Sequence, residues 1–527
     1  MASSLTPRSA TAAPSTGRVG RFVTLAFCLA AFLVFAHQLR TLRQYPVFID
    51  EPWTSNVAWN WLRTGAAIDS LHVSVTDPGA RGVQLPQVGF LATLPAVVSF
   101  RLFGLGLFQA RLASWVLGGV LLLATFSAGY RLYGAPTAAI GLLFLALSSE
   151  FTRAVHTARP DVMLAAAIMI ACSLALAPPR APRRWQPFAA GLVLGLALDV
   201  HPNAIMFAPA IGAIYFQLGA PKDQLRRILV EYALGWLLGL GYYAVVHVLP
   251  DPRGFLVLTR VQSLTTHLPP LGERSLLGLV KSAVHEVGRY HFSEDGLGFA
   301  LIGSSIIFLV ARRSPADRKI ITTTALAFLA FVLLVGNKHD VYAILFYPFL
   351  VLMAAQTLVA LIGPGERHNS SRAFAVALLI LTLVSRTISY RRQTASRYGY
   401  DYYAVTDRIK TVLPPHARIM GLPNWWLGLT EYDYVSSLDL TYYHYYHGYS
   451  LVQGLQADRP DYMLVDSGWR GLLVDEGYFP PGPGFAIYRL PRMEFETFLA
   501  QRGKKVLEFS SQWHGTFEVY AIHWDKP

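Results

Sequence analysis

The chain is 527 residues long, 53% hydrophobic and only 15% charged, with a mean hydropathy of +0.37, whereas soluble domains carry roughly 25% charged residues. That excludes an ordinary soluble enzyme. The net charge of +13 does not point to nucleic acid, because Lys and Arg accumulate in the cytoplasmic loops of membrane proteins.

Residues 1–21 form a Ser/Thr/Ala/Pro-rich tail with Arg8, Arg18 and Arg21, and the apolar run Phe22–Leu39 follows. This pattern predicts an uncleaved signal anchor with a cytoplasmic N-terminus; a cleavable signal peptide is the alternative. Either way, the first outer loop covers 40–110. Within it Pro86–Gly104 is apolar but short and carries Pro95 and Arg101, so it suits either a span or the interface. Placing it on the outer surface leaves spans near 111–130, 135–152, 162–178, 187–200, 203–219, 228–249, 297–311, 320–336, 341–362 and 372–389. Arg131, Arg180, Arg183, Arg184, Lys222, Arg226, Arg227, Arg312, Arg313, Arg318, Lys319 and Arg367 then fall in cytoplasmic loops. Counting it as a span would reverse all of them, against the positive-inside bias, so about eleven spans are predicted. Cys28 and Cys172 both lie inside apolar runs, which leaves neither a disulfide framework nor a CxxC site.

Beyond residue 390 the composition turns polar, with Pro414-Pro415 and Pro480-Pro481 turns and strand-like runs at Tyr462–Val465 and Phe517–Ile522. Residues 391–527 therefore read as an extracytoplasmic α/β domain. Its aromatics, from Trp425 and Trp426 to Tyr446 and Tyr449, suit sugar stacking or the headgroup level, but core and interface packing is the commoner fate. No internal repeat of fixed period is visible.

This topology gathers the membrane-edge ionisable residues on the outer side: Asp50 and Glu51; Arg153, His156, Arg159 and Asp161; His201; and Lys338, His339 and Asp340. Charges tightly flanked by apolar helices are costly and mark a pathway or a site. Cations that hold phosphate, beside carboxylates available as a base or metal ligand, suit a phosphate-bearing lipid. Each group also has a plain structural reading. Asp50 and Glu51 precede Pro52 and suit a helix start, Arg159 and Asp161 suit an ion pair, Lys338 suits snorkelling, and His201 before Pro202 suits a turn. The coincidence of clusters outweighs any one of them.

The blocks FIDEPWTSNVAWNWLRTG, LFGLGLFQARLASWVLGGVLLL and RLYGAPTAAIGLLFLALSSEFTRAVHTARPDVMLA, followed by NKHDVYAILFYPFLVL, resemble the dolichyl-phosphate-mannose protein mannosyltransferase-like family of bacterial GT-C glycosyltransferases, kin to the lipid A aminoarabinose transferase. The resemblance covers most of 22–362 and implies a GT-C membrane domain at 22–390 in a multi-pass bacterial plasma-membrane protein. The implied activity takes one sugar from a polyprenyl-phosphate sugar at the outer face and gives it to a hydroxyl of a lipid, glycan or protein. It implies Asp50 as catalytic base or metal-proximal carboxylate with Glu51 beside it, Arg159 and Lys338 on the donor phosphate with Tyr342 following, and Asp161 with Asp50 near a divalent cation (Mg, Mn or Zn). One departure stands out: where many members carry Glu-Lys-Pro-Pro in the first outer loop, the aligned piece here is Val83-Gln84-Leu85-Pro86-Gln87, which puts the metal in question. An inverting displacement is the mechanism expected. Two other readings compete with it: a lipid or solute transporter, disfavoured by the lack of inverted repeats, and an inactive relative serving as a binding subunit.

Overall fold

The computed structural model describes residues 18–83, 89–177, 185–266, 275–293, 296–335, 340–363, 369–397, 399, 400, 402–478 and 488–525. A helical bundle carries a small α/β domain at one end, and the first loop of the bundle joins the two.

The first helix, α1 (Arg18–Arg40), takes up the N-terminal apolar run. Pro52 at the start and a left-handed Gly65 just past the end bound α2 (Glu51–Thr64), the usual asymmetry of helix punctuation. A hairpin of β1 (Asp69–Val73) and β2 (Arg81–Val83) follows. The ambiguous apolar segment forms α3 (Phe90–Phe103), whose 14 residues fall short of the roughly 20 a spanning helix needs. Then come α4 (Leu107–Tyr133), α5 (Ala135–Ala146), α6 (Ser149–Val155), α7 (Asp161–Ala175), α8 (Trp185–Val200), α9 (Phe207–Phe216) and α10 (Lys222–Tyr243), the last running on into a π-turn at Ala244–Val248.

One expectation changes here. The span expected at 135–152 is broken: α5 and α6 meet at 64°, with the Ser148 hydroxyl capping the new helix by accepting from Phe151 N–H. Between the spans expected at 228–249 and 297–311 lie α11 (Pro252–Thr266) and α12 (Leu276–Ser293). The bundle closes with α13 (Gly296–Arg312), α14 (Pro315–Leu334), α15 (Tyr347–Ile362) and α16 (Asn369–Ala395). Four described helices are long and apolar enough to cross a membrane, or five with the bent pair counted as one span, and six more apolar helices are 10–17 residues long.

The C-terminal domain runs α17 (Tyr402–Lys410), β3 (Arg418–Gly421), β4 (Asp433–Ser436), α18 (Asp439–His447), α19 (Leu451–Asp458), β5 (Tyr462–Asp466), α20 (Ser467–Arg470), β6 (Leu473–Val474), β7 (Leu490–Pro491), α21 (Arg492–Arg502), β8 (Gly503–Ser511) and β9 (Gly515–Ile522). Its five-stranded sheet has the order β4-β3-β5-β9-β8, parallel over the first three strands and antiparallel at β5-β9 and β9-β8. Both strand-like runs of the sequence are strands of this sheet. The aromatics are chiefly core: Trp425 is fully buried, stacks on Tyr402 and donates its indole N–H to Asp466. Val47, Leu71 and Leu107 of the bundle side pack into this same core, so the domain is seated on the segment between α1 and α4.

Candidate active site

Asp50 and Glu51 are adjacent in sequence but turn to different surroundings. Glu51 is buried and accepts four hydrogen bonds, from Arg111 Nε at 2.8 Å, Arg111 Nη2 at 2.8 Å, the Phe48 N–H at 2.8 Å and the Ala158 N–H at 2.9 Å. Arg111, reaching over from α4, also donates to the carbonyls of Leu42, Tyr45 and Pro46. Both carboxylate oxygens of Glu51 are thus saturated, which leaves no place for a reacting hydroxyl. It is a positioning group that ties three segments together, not the second catalytic carboxylate suggested by its neighbour. Asp50 stands at the N-cap of α2 yet makes no capping hydrogen bond; its carboxylate, 39% exposed, pairs with Arg159.

Arg159 is the hub. Its Nε donates to Asp161 Oδ2 at 2.7 Å and its Nη1 pairs with Asp50, while its guanidinium lies 4.8 Å from the Phe48 ring centroid. A planar guanidinium holds its donors to two carboxylates in one rigid fork, where an ammonium offers rotatable donors from a single point. Asp161 opens α7, where a helix N-terminus favours negative charge. Its second oxygen, Oδ1, is buried with no hydrogen-bond partner among the described residues. Tyr342 faces both Arg159 and Asp161, and its hydroxyl stands 3.5 Å from His201 Nε2. His201 Nδ1 accepts from the Asn203 N–H at 3.1 Å, which assigns the ring proton to Nε2. Burial lowers the His201 pKa to about 4, with Asp161 opposing and Arg159 adding to the fall, so the ring is neutral at pH 7. The turn expected of His201 is present, and the same ring also faces the cluster.

Arg153 pairs with Glu150 at 3.2 Å and with the exposed Asp340 at 3.7 Å. His156 engages both ring nitrogens, Nε2 with Thr41 Oγ1 at 2.8 Å and Nδ1 with the Thr152 carbonyl at 2.6 Å, and packs 4.2 Å from the Tyr45 ring. It is a packed structural histidine. Lys338 and His339 lie outside the described residues, as do Gln84 to Gln87 of the departing stretch.

Two clusters escaped the sequence reading. In α12, Glu286 and Arg289 form a buried pair beside Tyr290, and Arg289 interacts with both Glu150 and Tyr342; their i, i+3, i+4 spacing was the available signal. Asp199, at the end of α8, pairs with His247 Nε2 and accepts from the Leu91 N–H, and both were visible as ionisable residues inside apolar runs.

A bridging cation would need Asp50 and Asp161 to converge, but Arg159 is bonded to both and stands in that place. Among the described residues no group of three or more His, Cys, Asp or Glu side chains gathers to hold a metal. Among the described residues, the donor set therefore does not fit the expected cation.

Residues 88–249 match the model of the family described as dolichyl-phosphate-mannose-protein mannosyltransferase. No curated protein sequence matches the chain. Among solved structures, ArnT from Cupriavidus metallidurans bound to undecaprenyl phosphate aligns at TM-score 0.62 and 15% identity, over 97% of this chain and 99% of that one. The apo form of that protein aligns at 0.58 and 16%, over 95% and 98%. The Archaeoglobus fulgidus oligosaccharyltransferase tethered to an acceptor peptide aligns at 0.55 and 11%, over 96% of this chain and 75% of that one. The chain thus has the GT-C fold; its sequence resembles the dolichyl-phosphate-mannose-protein mannosyltransferase family over 88–249, and its fold resembles that of ArnT over nearly its whole length.

Proposed function

We propose that the protein transfers a single sugar from a polyprenyl-phosphate sugar to an acceptor hydroxyl at the membrane face that carries the C-terminal domain. The observation that carries this reading is the Asp50–Arg159–Asp161 constellation: a half-exposed carboxylate sharing a buried guanidinium with a second carboxylate. The alignment with an ArnT bound to undecaprenyl phosphate supports a lipid-linked donor. The charge pattern of the loops supports a plasma-membrane orientation with the N-terminus in the cytoplasm and the C-terminal domain outside it.

In this reaction Asp50 takes the proton of the acceptor hydroxyl as its oxygen bonds to the anomeric carbon. The bond from that carbon to the phosphate oxygen breaks, and its electron pair leaves on the polyprenyl phosphate. Attack opposite the leaving group inverts the anomeric centre. Arg159 meets the charge that grows on the phosphate, the term on which such a departure depends. A donor phosphate that draws Arg159 away from Asp50 also strengthens Asp50 as a base, since a carboxylate loses acidity as its cation leaves. The buried Oδ1 of Asp161, without a hydrogen-bond partner among the described residues, is the acceptor this cluster has left for a sugar hydroxyl once the donor enters. With Arg159 between the carboxylates, no metal is assigned a step, and chelation with EDTA is expected to leave the rate unchanged.

The test is sugar release from radiolabelled polyprenyl-phosphate sugars by the purified protein in lipid. Asp50→Asn is expected to lower turnover by roughly 10²- to 10⁴-fold while still inserting and binding donor. Full activity in that variant overturns the assignment.

A further inference from the structure

Away from this site, α1, α5 and α16 enclose a groove of about 1080 Å³. It is divided by polarity along its length. Leu33, Leu143 and Leu383 line the part level with the bundle core, whereas His37, Arg40, Arg391 and Thr394 rim the end on the side of the C-terminal domain. His37 Nδ1 and the Tyr390 hydroxyl, 2.8 Å apart, brace α1 against α16 at that end. Arg40 and Arg391 are exposed, and neither has a carboxylate partner among the described residues. On the orientation proposed above, both arginines lie on the outer side, where the positive-inside bias disfavours them unless an anion holds them there.

We propose that this groove is a binding site for an anionic glycerophospholipid, with an acyl chain along the leucine-lined trough and the headgroup phosphate between Arg40 and Arg391. Basic pockets between spanning helices recognise acidic headgroups by this combination of charge and apolar seat. The occupant is a resident lipid and not a substrate, so the proposal stands apart from the transfer chemistry.

Native mass spectrometry of the full-length protein, released from membranes containing phosphatidylglycerol and phosphatidylcholine, tests it. Wild type is expected to retain phosphatidylglycerol in preference to phosphatidylcholine. The double variant Arg40→Ala/Arg391→Ala is expected to lose that preference by about thirtyfold, the product of two interfacial cations. Leu383→Trp, which fills the trough without touching the charges, is expected to displace the lipid as well, and a thermal melt checks that each variant is folded. Equal retention of the two lipids, or unchanged retention in both folded variants, overturns the proposal. So does one-for-one displacement of the lipid by polyprenyl phosphate, which would give the groove to the carrier.

Discussion

A single guanidinium sets the chemistry at the residue scale. Arg159 donates Nε to Asp161 and Nη1 to Asp50, so Arg159→Lys keeps the charge but gives up the fork. A charge-assisted hydrogen bond is worth about 1.5–3 kcal/mol; kcat/KM is therefore expected to fall roughly ten- to a hundredfold, measured on the donor that wild type turns over. Arg111 and Glu51 obey a different rule. Both are fully buried, and removing one partner leaves an uncompensated charge, so Arg111→Met is expected to destabilise the fold by about 3–5 kcal/mol. The pair Arg111→Met/Glu51→Leu is expected to recover part of that loss in thermal melts; a double variant no more stable than the single one would contradict this. The acidic and cationic candidates at 50, 51, 159 and 161 were legible from sequence because charge is rare beside apolar runs. The division of labour between Asp50 and Glu51 was not, since it rests on Arg111, 60 residues away in the chain.

Close helix contact organises the bundle at the element scale. Gly191 and Gly195 on α8 face Gly235 and Gly239 on α10, in two Gly-x-x-x-Gly pairs. A Cβ on Gly235 would come 2.0 Å from the Phe188 carbonyl oxygen, and one on Gly239 would come 2.4 Å from the Gly195 carbonyl carbon. Backbones this close leave room for glycine alone, the usual means of packing helices in lipid. Gly235→Val is expected to cost at least about 1–3 kcal/mol through overpacking, and to loosen the Asp199–His247 pair at the far ends of these two helices. A variant that melts with wild type would exclude that contact. The break between α5 and α6 is the element that hydropathy hides. The two helices pass for one span although α6 carries Glu150 and Arg153, and the Ser148 cap with the 64° bend begins the turn that leads to Arg159, the partner of Asp50.

The C-terminal domain is locked to the segment between α1 and α4 at the scale of the whole molecule. The Asp439 carboxylate accepts from the Val73 N–H at 3.0 Å and pairs with Arg81 at 2.5 Å, and Arg81 also pairs with Asp458. His447 meets the Ser74 carbonyl at 2.8 Å, and Tyr403 accepts from the Leu107 N–H at 3.0 Å. Burial, with Asp458 adding and Arg81 and His72 opposing, raises the Asp439 carboxyl from 3.8 to about 6. A carboxyl that holds its proton more tightly when packed stabilises the packed state where it is protonated; that contribution is complete below 3.8 and is lost as pH rises through about 6. His72 moves in the same sense, because Asp69 and Asp439 outweigh the burial that opposes its charge. Protection in β1 and β2, taken relative to the intrinsic amide exchange rate at each pH, is therefore expected to be higher at about pH 5 than at about pH 8, with the difference reduced in Asp439→Asn. Identical protection at both pH values would refute the coupling.

The sequence by itself determined a multi-pass helical protein with a polar α/β domain at its end, because apolar run length, loop charge and alternating strand patterns are local properties of the chain. It also predicted the ionisable candidates at one face, since the positive-inside bias acts loop by loop. Only the tertiary structure decided which of them meet. Arg159 against Asp50, Glu51 against Arg111 and Arg81 between Asp439 and Asp458 are contacts between distant segments, and whether a buried charge is a reacting group or a brace depends on the partners that packing brings to it.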